Sequence, residues 1–72
     1  AAQEKLAQAT ENEERARELA RVAGILVEAG RDPPLRALRA RSALAQAQAE
    51  REAAGADELA ARSSLAALFG AS

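Results

Sequence analysis

Seventy-two residues bound this chain to a single domain, 49% apolar and 29% charged, with a net charge of −1. Such a balance excludes a global field that would draw it to nucleic acid or a membrane surface. The lack of Cys and His excludes disulfides, thiolate metal sites and imidazole chemistry.

Alanine supplies 22 of the apolar residues, and only 13 are large: nine Leu, two Val, one Ile and Phe69. So sparse a core sits near the limit of independent stability unless the helices are well idealised or the chain associates. No apolar run approaches the ~20 residues that span a bilayer. The N-terminal AAQEK lacks the basic and apolar regions of a signal peptide.

The spacing predicts three helices and two short connections. The first helix runs from about residue 2 to residue 29, and Gly30 follows it as a C′ glycine should. Thr10-Glu11-Asn12-Glu13 also fits a capping box, which would start the helix at Glu11 and leave residues 1–9 as an arm. The helix-forming Ala, Gln, Glu, Lys and Leu before Thr10 favour a continuous helix. Its densest stretch is Leu19–Ala29, where Leu19, Val22, Ile25, Leu26 and Val27 crowd together. The apolar face there is too wide for one partner helix. This predicts a central stave, with Leu19, Val22, Ile25, Leu26, Leu38, Leu44, Leu65 and Leu68 as the protomer core. Ala16, Ala20 and Gly24 recur every four residues. Gly24 either admits a close backbone or is a tolerated surface glycine in line with Arg17, Arg21 and Glu28.

In the first connection Asp32 is a natural N-cap, with Pro33 at the first helical position. The second helix covers about residues 33–54 and carries two seams, through Leu35 and Leu38 and through Ala40 and Leu44, so two neighbours are expected. Gly55 reads as its stop and Asp57 as the next N-cap. The third helix covers about residues 58–69, and Gly70, Ala71 and Ser72 trail off. Short connections favour antiparallel neighbours. The expected fold is all-α: a three-helix antiparallel protomer, one domain over 1–72, associating into a larger bundle or ring. A continuous first helix would overhang the second by about two turns. Leu6 and Ala9 on that overhang would need a partner from another chain.

Charges are laid out by end. Glu4–Glu18 holds five Glu against Lys5, Arg15 and Arg17, and Arg31–Arg41 holds four Arg against Asp32. In an antiparallel pair the acidic end lies beside Glu50, Arg51 and Glu52, away from the Arg cluster. A neighbouring chain offering its acidic helix would account for Arg31, Arg36 and Arg39, as would a solvated face.

Catalysis finds little footing, since only carboxylates and one Lys remain as acid–base groups. Glu13 is the one carboxylate in the Leu6–Ala9–Ala16 seam, marking either a solvent edge or a cross-chain arginine. No catalytic residue is assigned, and no cofactor or metal site is expected. The Gly55 turn superficially fits a helix-turn-helix, but the would-be recognition helix offers only Arg62 beside Glu58, so no nucleic acid partner is expected. The first helix has no aromatic anchor, so no membrane partner is expected either.

The connections AGRDPP (Ala29–Pro34) and AAGAD (Ala53–Asp57) and the register EERARELAR (Glu13–Arg21) follow capping and patterning rules closely. In these the chain resembles computationally designed helical bundles, which implies a symmetric oligomer or a binder. It departs from them in its single Lys, its many Gln and its mid-helix Gly24. The functional expectation is an alanine-rich, self-assembling structural protein that forms a homo-oligomer and is not an enzyme. Its predicted interface is Leu6, Ala9, Glu13, Ala16, Arg31, Arg36, Arg39 and Phe69. The alternative is a monomeric module that docks a protein partner through helix 1 or helix 3.

Overall fold

A computed structural model describes residues 1–70; Ala71 and Ser72 lie outside the described residues. It contains two helices, α1 (Ala2–Glu28) and α2 (Pro34–Gly70), joined by a tight connection into an antiparallel hairpin. The hairpin is a rod of 65 × 14 × 13 Å.

Helix α1 forms because its first eighteen residues are almost all strong helix formers. Thr10 lies inside it and starts nothing: its hydroxyl donates back to the Leu6 carbonyl at 2.8 Å. The helix stops at a Schellman turn. Gly30 adopts φ +71°, its N–H donates to the Val27 carbonyl at 3.0 Å, and the Arg31 N–H donates to the Leu26 carbonyl at 2.9 Å. Pro33 and Pro34 follow. Pro34, not Pro33, opens α2, so Asp32 sits one residue ahead of the cap position. Proline there gives up only an N–H that a first helical turn leaves unpaired.

The three-helix expectation is corrected. The predicted helices 33–54 and 58–69 are one helix, α2, which runs straight through Gly55, Ala56 and Asp57. A glycine inside a helix costs ~1 kcal/mol, too little to break one flanked on both sides by Ala, Glu, Arg and Leu. Gly55 also packs in the hairpin: a Cβ built there would meet Leu6 Cδ1 at 3.8 Å. The overhang is corrected with it. At 37 residues against 27, α2 is the longer helix and extends past the N-terminus of α1.

The contact between the helices follows a three–four spacing. On α1 the inward positions are Ala2, Leu6, Ala9, Glu13, Ala16, Ala20, Ala23 and Val27; on α2 they are Ala37, Ala40, Leu44, Ala47, Arg51, Ala54 and Glu58. This is the repeat of an antiparallel coiled coil whose knobs are mostly alanine. Small knobs let the axes approach to the short end of the ~8–10 Å range. The predicted core is corrected in consequence. Leu19, Val22, Ile25, Leu38, Leu65 and Leu68 are exposed, Leu19 at 66% and Leu68 at 78%. The buried apolar residues are Ala9, Ala37, Ala47 and Ala54. Alanine permits the closest approach of the two backbones, so the seam is mostly alanine, with Leu6, Val27 and Leu44 half-buried in it and the other large side chains named above left exposed.

Candidate functional site

Halfway along the seam lies a polar clasp. Glu13 is buried in the seam; its carboxylate accepts a hydrogen bond from Arg17 at 2.8 Å and forms an ion pair with Arg51 of α2 at 2.5 Å. The Arg17 contact is an i, i+4 pair within α1, whereas Arg51 reaches across from the other helix. An ion pair across a mostly alanine seam marks one register, because any slide of α2 separates Arg51 from Glu13. Arg15 donates to the Asn12 side chain on the exposed side of the same helix.

Outside the seam, Arg21 grips Glu18 with Nε at 3.0 Å and a terminal nitrogen at 2.5 Å. These hydrogen bonds, with the attraction between the charges, hold the Glu18 carboxyl below its usual range and raise the Arg21 guanidinium. Arg62 pairs with Glu58 at 2.8 Å.

The predicted interface residues divide into two sets. Leu6, Ala9, Glu13 and Ala16 pack against α2 of the same chain. Arg31, Arg36, Arg39 and Phe69 are exposed, the arginines at the loop end and Phe69 at the far end of α2. Among the described residues, none of the ion pairs includes Arg31, Arg36, Arg39 or Arg41. Residues 19–44, which form the loop end, carry a net charge of +3, and the rest of the chain carries −4. The rod is therefore basic at one end and acidic at the other.

Shallow grooves accompany this polarity: besides one of about 380 Å³ between Pro33, Leu35, Arg36 and Arg39 at the connection, two are lined mainly by apolar residues. One, of about 480 Å³, lies at the loop end between Val27, Pro34, Leu35, Ala37, Leu38 and Arg41. The other, of about 210 Å³, lies where α2 passes the first residues of α1, between Ala1, Ala2, Gln3, Ala61 and Leu65. The loop-end groove is absent from the sequence reading. Its signal was the Leu35–Leu38 pair at i, i+3, directly after the prolines and facing the last turn of α1. Beyond the second groove, Leu68 and Phe69 stand on the part of α2 that α1 does not cover, Phe69 at 84% exposure.

Among the described residues, no three His, Cys, Asp or Glu side chains are grouped to hold a metal ion. No helix there is long and apolar enough to cross a membrane. No protein-family model, curated protein or solved structure matches the chain.

Proposed function

We propose that this chain is a structural, self-assembling helix hairpin. It completes its apolar core by packing against further copies of itself and performs no chemistry of its own. The observation that carries this reading is the placement of the large apolar side chains. Leu19, Val22 and Ile25 on α1, and Leu35, Leu38, Leu59, Leu65, Leu68 and Phe69 on α2, all lie outside the hairpin's own seam.

Area supports the same reading. The hairpin exposes 5511 Å², about 1,300 Å² more than a compact folded chain of its mass. Its radius of gyration is 17.6 Å, against about 11 Å for a compact 72-residue domain. Covering that excess on each of two copies would bury roughly 2,500 Å², within the range of obligate homodimers. Two helices with one alanine seam do not make a two-layer core, and pairing two hairpins supplies the missing layer as a four-helix bundle.

Solution mass by light scattering on a sizing column tests this. The expected mass is a fixed multiple of 7.5 kDa, held over a wide concentration range. A helical monomer throughout would overturn the proposal and leave the same apolar face as a docking surface for a different protein.

A further inference from the structure

The hairpin carries two apolar features at opposite ends, the loop-end groove and Phe69. Arg41 lines the loop-end groove. Phe69 lies 28 residues further along α2, four heptads from Arg41. Along the seam, positions seven apart fall on one line, so Arg41, Gln48 and Gly55 share a flank; Arg62 and Phe69 continue that row past Glu58, where the seam ends, with a drift of only ~20° per heptad. The groove begins at the first turn of α2, and Phe69 is in its last turn. A two-fold axis through the middle of that flank therefore brings the Phe69 of each copy over the groove of the other. The register that achieves this is also the one in which the two rods overlap along nearly their full length.

Charge selects the same orientation independently. With net +3 at the loop end and −4 elsewhere, side-by-side pairing with loops together places like charges in contact. Reversing one copy sets the basic loop half, net +3, beside the partner's net-negative half. Like-charge juxtaposition acts against wrong orientations more strongly than exposed pairs add affinity.

We propose that two copies pair antiparallel through this flank, each inserting Phe69 into the partner's groove between Val27, Leu35, Leu38 and Arg41. The interface is isologous: the same two features are used twice. This rests on the self-assembly reading, and the test separates the two.

Ala29→Cys, at the exposed C-terminal end of α1, takes a nitroxide label without touching groove or flank. Sizing of the labelled full chain first reports whether it associates; a monomer overturns both the self-assembly reading and this proposal. In the associated species, pulsed electron resonance measures the distance between the two labels. Antiparallel pairing of 65 Å rods puts them about 50–60 Å apart, whereas loop-together pairing puts them within about 25 Å at helix spacings of ~10 Å. The long distance is expected. A short one overturns the orientation while leaving self-assembly intact. Phe69→Ala, assayed as a free chain by sedimentation, is expected to weaken association tenfold or more, about the effect of losing a buried aromatic anchor. Phe69→Leu, which keeps an apolar knob, is expected to retain most of the association. Unchanged association of Phe69→Ala, with helix content preserved, overturns the insertion.

Discussion

The clasp between Glu13 and Arg51 gives the sharpest test of how the hairpin is held. Replacing Arg51 with Ala leaves the Glu13 carboxylate, buried in the seam, with Arg17 as its one remaining partner. Breaking a fully buried pair costs about 3–5 kcal/mol, and a fully exposed one ~0–1 kcal/mol. The Glu13 side chain is 12% exposed and that of Arg51 38%, so the pair lies between these limits. We expect Arg51→Ala to lose about 2 kcal/mol and Glu13→Ala somewhat less, because a stranded Arg51 can swing its guanidinium into water. For a chain of this size about 2 kcal/mol lowers the melting temperature by roughly 10 °C. The double variant completes the alanine seam and is expected to recover wild-type stability or exceed it, as replacement of buried ion pairs often does. The assay is thermal and urea unfolding followed by circular dichroism, at one fixed protein concentration because association shifts apparent stability. A coupling energy below about 0.3 kcal/mol in the double-mutant cycle would refute the reasoning and reduce the clasp to a surface contact.

Three further expectations follow from local geometry. Gly30→Ala forces a side chain into the left-handed region at φ +71° and should destabilise by about 1 kcal/mol, read as a lower urea midpoint. Gly55→Ala adds a methyl at ordinary contact distance from Leu6 and removes an interior helix glycine. It should raise stability by about 0.5–1 kcal/mol, read as a higher urea midpoint, and a drop would show that Leu6 has no room. The Glu18 carboxyl, held below its usual range by Arg21, supports the folded chain above the ordinary glutamate range. That support is lost as pH falls through its depressed folded value. Carboxyl NMR should place its midpoint low and move it up in Arg21→Ala; an unmoved midpoint would show the pair does not form in solution.

The first turn of this fold was legible because Gly30, Pro33 and Pro34 act through the backbone itself: a left-handed φ and two missing N–H groups cannot be absorbed into a helix. Gly55-Ala56-Asp57 copied the same signals without that compulsion. Glycine and aspartate tolerate helix interiors, and no proline follows them. The three–four spacing running in phase from Ala37 through Ala54 to Glu58 was the cue that the helix continues. The core was misread for a different reason. Ranking residues by size made Leu19–Ala29 the centre, yet two helices joined by a tight turn meet wherever their backbones approach closest, and alanine permits the closest approach. The α1 sequence offers an alanine stripe and a leucine–valine stripe side by side, and hydrophobicity alone does not say which faces the same chain. Among the site residues, Glu13 stood out as the one carboxylate in its seam. Its partner Arg51 required the antiparallel register to be known first.

The alanine seam also divides the thermodynamics of this molecule in time. Alanine has no rotamers to lose, so closing the hairpin freezes backbone torsions and almost no side-chain entropy. It also buries little apolar surface, so its heat-capacity change is small. The leucines, isoleucine and phenylalanine on the outside keep their rotamer freedom and their hydration until something covers them. On the proposed self-assembly, a calorimeter should find the large heat-capacity step in the docking of hairpins and only a weak one in hairpin closure. If hairpins pair as proposed, the signature that normally reports folding would report assembly instead.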